Sequence, residues 1–161
     1  MVGPNVGVRP LRARLRCARP WHPPTVHLPL GLLTGGWIGL AGAVGWPSSR
    51  WDDPTSFCLF TGLVGAVLAA TTGFVELARL GARLAGSPAE RTLTTHLAVM
   101  LSSTTLFGAA LWLHLAGHTA GALAVGTAGL IALVAGGHVG GKLVYRHNIG
   151  TEHEPLATEP A

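Results

Sequence analysis

Four ionisable side chains stand out because they lie at the edges of long apolar stretches: His27, Glu76, His96 and His138. Each can be placed by its spacing to a landmark in the chain. His96 follows Arg91 by five residues, about 7 Å deeper at a rise of 1.5 Å per residue, and His138 precedes Lys142 by four, about 6 Å. Glu76 comes three residues before Arg79, about 4–5 Å in. His27 stands just past Pro23-Pro24, where a first helix is expected to begin. The four therefore fall in one layer, each from a different apolar segment, and ionisable residues at such a depth are functional candidates by default. Two neutral imidazoles facing each other across a bundle can ligate a b-type haem iron from both sides. His with Glu can bind a divalent metal, and histidines that titrate near neutrality can relay protons beside a quinone or substrate pocket. The plain alternative is that they hydrogen-bond backbone carbonyls, or one another, and hold helices together. For haem iron, His96 with His138 is the leading axial pair, with His27 able to replace either.

The elements that position these residues are helices in a membrane. Of 161 residues only 11% are charged, under half of the quarter or so usual in soluble domains. A soluble fold of this size could not cover its surface with so few charges. The net charge of +4 is carried in three clusters between apolar stretches, a topology pattern rather than a nucleic-acid-binding face, so no nucleic-acid partner is expected. Residues 1–24 read as a basic arm with Arg9, Arg12, Arg14, Arg16 and Arg19. A first span is expected at about 26–46, long enough to cross a core of ~30 Å, and a second at 55–77. Ser87-Pro88-Ala89-Glu90 combines a capping serine, a proline at the first helical position and a glutamate three residues after the cap. A third helix should thus start at Pro88 and run to about 115. From Thr92 to Gly141 there is no Asp, Glu, Lys or Arg. That is too long for one span, so a fourth is expected at 121–145 after a turn at His114–Gly121. Residues 151–161 form a polar tail. The Arg-rich start before an apolar run could suggest a signal peptide, but the run is of full spanning length and no A-x-A site follows it.

The expected architecture is an all-α, integral membrane four-helix bundle. All basic clusters lie on one side of a four-span topology and only Arg50, beside Asp52 and Asp53, lies on the other. The Lys/Arg rule then places both termini in the cytoplasm, at the inner membrane. Trp46, Trp51 and Trp112 would mark the outer interface, Trp21 and Tyr145 the inner one. Small-xxx-small glycine pairs (Gly35/Gly39, Gly117/Gly121, Gly136/Gly140, Gly137/Gly141) suit close helix approach. Cys17 and Cys58 flank the first span and are not expected to meet. His114 and His118 are expected to be an exposed pair at the outer turn. No nucleophile–base pair or phosphate loop points to an enzyme with a soluble-type active site.

Two terminal motifs carry a family resemblance. The first helix opens His22-Pro23-Pro24-Thr25-Val26-His27-Leu28-Pro29-Leu30, and the fourth closes Gly140-Gly141-Lys142-Leu143-Val144-Tyr145-Arg146-His147-Asn148-Ile149-Gly150. Between them stand Thr72-Gly73-Phe74-Val75-Glu76 and His96-Leu97-Ala98. From about His22 to Gly150 the chain resembles the bacterial membrane family catalogued as domain of unknown function 2231. That resemblance implies a four-helix membrane domain, in some members fused or linked to cytochrome c or Rieske modules. It adds His22 to His27, Glu76 and His96 as motif positions, and some relatives carry histidine where His138 stands. Three departures are visible: Glu76 for an aspartate, Met100 for an asparagine, and Asn148 for a glycine.

The functional expectation is a non-catalytic redox subunit in the lipid bilayer. It would hold a b-type haem between helices near the cytoplasmic face and exchange electrons with a separate cytochrome or Rieske-type protein. One alternative is a proton- or metal-linked transporter, for which four short spans leave little room unless the chain forms a homodimer. The other is a cofactor-free structural or assembly subunit.

Overall fold

The computed structural model describes residues 22–149, with the side chains of 80–83 left aside. The basic arm through Trp21, with Cys17, and the tail from Gly150 lie outside the described residues. After a single helical turn, α1 (His22–Thr25), four long helices follow: α2 (His27–Gly45), α3 (Asp52–Leu84), α4 (Pro88–Leu115) and α5 (Thr119–Tyr145). All four segments are long and apolar enough to cross a membrane.

The helix ends follow local chemistry. Helix formation begins at His22, ahead of the expected boundary, with Pro23 and Pro24 inside the first turn. Proline is tolerated there because first-turn N–H groups have no intrahelical partner. Val26 N–H bonds to His22 O and Leu30 N–H to Val26 O, carrying α1 into α2. Trp46-Pro47 ends α2, and Asp52 and Asp53 in the first turn of α3 complement its dipole. The expected start at Pro88 is found: Ser87 is extended and its hydroxyl accepts from Glu90 N–H. The Glu90 carboxylate reaches back to the Gly86 N–H at 2.6 Å, one residue beyond the usual box. At the other end of α4, Gly117 takes φ +80. Its N–H bonds to His114 O and the His118 N–H to Leu113 O, the paired bonds of a glycine-terminated helix.

The inward faces are built from small residues. A Cβ on Gly36 would come within 2.6 Å of Leu59, and one on Gly62 within 2.8 Å of Leu33, so α2 and α3 meet nearly backbone to backbone. Gly126, Gly129 and Gly136 do the same for α5, against Leu40 and Ala110, Phe107, and Met100 respectively. The outer faces carry the large apolar groups, among them Ile38, Phe57, Phe60, Leu101 and Ile131. In lipid this division is sound, since apolar size is free on the outside and close packing must supply cohesion within. Of the expected glycine pairs, Gly35/Gly39 faces α3 at Cys58 and Thr55 and Gly136/Gly140 faces α4 at Met100 and His96, whereas a Cβ on Gly137 would meet nothing within 4 Å.

The bundle consists of two intimate antiparallel hairpins, α2–α3 and α4–α5, joined along looser seams between α2 and α5 and between α3 and α4. A fully buried core of Leu33, Leu40, Leu59, Phe107, Ala110 and Ala122 runs through the centre. Trp37 donates its indole N–H to the Thr127 hydroxyl at 3.0 Å across the α2–α5 seam.

Candidate functional site

One end of the bundle gathers the start of α1, the later part of α3, the start of α4 and the end of α5. There two histidine rings meet. The centroids of His22 and His96 are 6.4 Å apart with the planes at 86°.

Each ring is fixed by a backbone carbonyl. His22 Nδ1 is 2.8 Å from Ala69 O of α3, and His96 Nδ1 is 3.0 Å from Gly136 O of α5. A carbonyl oxygen only accepts, so Nδ1 donates in both rings, which leaves the Nε2 lone pair available whenever a ring is neutral. Each ring also lies over a glycine. A Cβ on Gly73 would stand 3.0 Å from His22 Nδ1, and one on Gly140 would stand 3.0 Å from His96 Cε1. The absent side chains make the cradle.

Glu76 completes the cluster from the backbone side. Its Oε1 accepts the His22 N–H at 3.0 Å. Because Pro23 and Pro24 have no N–H, this is the only main-chain donor that the first three residues of α1 offer, and a carboxylate there also faces the positive end of the helix. Thr25 and Thr72 stand 3.1 Å apart beside it, and the Thr72 hydroxyl is 3.5 Å from His22 Nδ1.

The expected layer is thus divided. His22, Glu76 and His96 come together, whereas His27 and His138 lie exposed on the outside of the bundle. The axial pairs His96–His138 and His96–His27 are not brought face to face. The reason is helical geometry. Gly136 and Gly140 face His96, and a residue two positions from either lies about 200° round the helix, so His138 must point away. His27 stands in the same relation to buried Pro29, and its Nδ1 approaches only Pro24 O, at 3.4 Å. The signal that selects the inner histidines is a seven-residue register. His22 precedes Pro29 by seven, leading into Leu33, Gly36 and Leu40, and α4 turns inward His96, Met100, Ser103, Phe107, Ala110 and His114.

That register also corrects the expected outer pair. His118 is exposed, but His114 is buried, and its Nδ1 has no hydrogen-bond partner among the described residues. His147, given no role from sequence, sits 3.3 Å from the Thr92 hydroxyl and links the end of α5 to the start of α4. Among the described residues no three His, Cys, Asp or Glu side chains converge as a metal site.

Residues 18–153 match the model of DUF2231, described as a predicted membrane protein. The chain belongs to this family. No curated protein and no solved structure matches it. Of the motif positions His22, His27, Glu76 and His96 in this DUF2231 protein, three converge and His27 lies exposed. Two of its departures have structural explanations. Met100, one turn after His96, packs on Gly136, whose missing Cβ would lie 2.5 Å from the sulfur, so an apolar side chain fills the space beside the His96 anchor. Asn148 has φ 52, a left-handed position that asparagine tolerates better than most residues. It closes α5, where the His147 N–H bonds to Lys142 O and the Ile149 N–H to Leu143 O.

Proposed function

We propose that this DUF2231 protein is a non-catalytic redox subunit of the inner membrane that holds a b-type haem through His22 and His96. The observation that carries the reading is the matched pair of anchored imidazoles, each with Nδ1 on a backbone carbonyl and no Nε2 hydrogen bond among the described residues. Histidines that bind metals are commonly oriented this way, the second nitrogen donating to a carbonyl or carboxylate. The two rings stand 6.4 Å apart, centre to centre, with their planes at 86°, close enough for one group to engage both. The glycine cradles beneath the two rings support the reading. Bound there, haem would supply one-electron transfer. The chain's residues would orient the two rings, and the apolar flanks of α2, α4 and α5 would keep water from them. A separate cytochrome or Rieske-type protein would be the electron partner.

The orientation belongs to the same proposal. Arg79, Arg91, Lys142 and Arg146 cluster at the end of the bundle that holds the histidines, and Arg50 is at the other, which by the Lys/Arg rule favours a cytoplasmic site and cytoplasmic termini.

A second reading has its own support: the same Nδ1 bonds tie α1 to α3 and α4 to α5, which is what a cofactor-free assembly subunit would need. The optical spectrum of the purified protein separates the two. The haem reading expects a Soret band and a pyridine haemochrome signal, lost in His22→Ala and His96→Ala and kept in His27→Ala and His138→Ala. A spectrum without either signal, from protein produced with ample haem, would leave the structural reading standing alone.

A further inference from the structure

The outer side of the α2–α3 hairpin carries an apolar groove of about 470 Å³. Leu28 and Leu32 form one wall, and Phe57, Phe60, Val64 and Leu68 the other. The groove extends over Phe57–Leu68, eleven residues of rise or about 16 Å, a length suited to an extended hydrocarbon tail. Its floor is Gly65, whose missing Cβ would stand 3.3 Å from Pro29.

The inner end of the groove changes character. Continuing each wall by one helical turn leads from Leu28 back to Thr25 and from Leu68 on to Thr72. These two half-buried hydroxyls stand 3.1 Å apart, and the His22 ring lies 3.5 Å behind Thr72. The hydroxyl pair thus lies one turn beyond the apolar lining of the groove, beside one of the two anchored imidazoles.

We propose that this groove binds an isoprenoid quinone, with the tail between α2 and α3 and the head group at Thr25 and Thr72. The inference deepens the redox reading of the His22–His96 site and rests on it for its biological sense. Charge favours a quinone over a phospholipid. Glu76 lies one helical turn beyond Thr72, and its carboxylate holds the His22 N–H. It repels a phosphate and leaves a neutral carbonyl head undisturbed. The Thr25 and Thr72 hydroxyls now donate to His22 O and Ala69 O at 2.8 Å each, and either can turn to a quinone carbonyl without leaving a backbone acceptor bare, because helical carbonyls are already bonded within the helix.

The test is photolabelling of the whole protein in nanodiscs with an azido-benzoquinone bearing a decyl tail, followed by peptide mapping. Labelling is expected within 25–32 or 57–72. Excess unlabelled decyl-benzoquinone should reduce it at least tenfold, and added phosphatidylglycerol should not. Leu68→Trp, which fills the groove from its lipid-facing wall, should abolish labelling while the thermal midpoint stays near that of the parent. Labelling elsewhere, absence of labelling, equal competition by phosphatidylglycerol, or full labelling of Leu68→Trp each overturns the proposal. The haem reading fails separately: labelling at the groove in a protein without a Soret band rejects the haem alone, and a Soret band without groove labelling rejects the quinone alone.

Discussion

Gly140 lies beneath the imidazole of His96, so close that a Cβ there would stand 3.0 Å from Cε1 and 3.2 Å from Nδ1. Three residues earlier, on the outside of the same helix, a Cβ at Gly137 would meet nothing within 4 Å. The two positions give a controlled comparison. Alanine gains up to ~1 kcal/mol of helix propensity over glycine at either place. At 140 the extra methyl also overpacks the site, at a cost of about 1–3 kcal/mol. Gly137→Ala is expected to raise the thermal midpoint in detergent, and Gly140→Ala to lower it. Equal shifts in the two variants would show that His96 does not rest on Gly140.

The inner and outer histidines should also differ in their effect on stability. His96→Ala removes the bond to Gly136 O and opens a gap beside Met100, and a loss of about 1–3 kcal/mol is expected. His138→Ala removes an exposed ring and should stay within ~0.5 kcal/mol of the parent. Chemical unfolding in mixed micelles measures both, and a larger loss at His138 would place the ring in a contact that the chain alone does not make.

Glu76 is expected to hold the first turn closed through the His22 amide. Glu76→Ala should free that single N–H, with an effect on the order of 1 kcal/mol. Hydrogen exchange at the His22 amide should then quicken roughly fivefold. Glu76→Gln keeps an acceptor and should fall between parent and Ala. Unchanged exchange in Glu76→Ala would remove the carboxylate from this role.

Much of the fold was legible because membrane helices declare themselves by length and by the absence of charge. The start of α4 at Pro88 was readable to the residue, since Ser87, Pro88 and Glu90 each act locally. The rotation of each helix was harder to read. A helix that is apolar all round has little amphipathic signal, and here residue size, rather than polarity, separates inside from outside. Depth alone therefore put His27 and His138 with His96. The register of small residues at Gly136 and Gly140, or of Pro29 and Leu33, would have turned them outward. Spacing did not reach His22, which only the family resemblance supplied: Pro23-Pro24 reads as a break, but in a first turn prolines break nothing.

The proposed topology can be tested without reference to the site. In a cysteine-free background, His118→Cys at the exposed outer turn should react with a membrane-impermeant maleimide in intact cells. Ala85→Cys, in the α3–α4 connection, should react only after the membrane is opened. The reverse pattern would invert the chain and move the histidines to the outer face.

Each imidazole is anchored within its own hairpin, His22 to α3 and His96 to α5, and the two rings meet only where the hairpins abut. During synthesis the first hairpin can therefore be complete, with His22 already on Ala69, before the second has left the ribosome. The paired centre comes into being last, when α5 arrives and Gly136 fixes His96. A ligand held by both rings would thus stitch the two hairpins together, and its capture would report that α5 had reached its place.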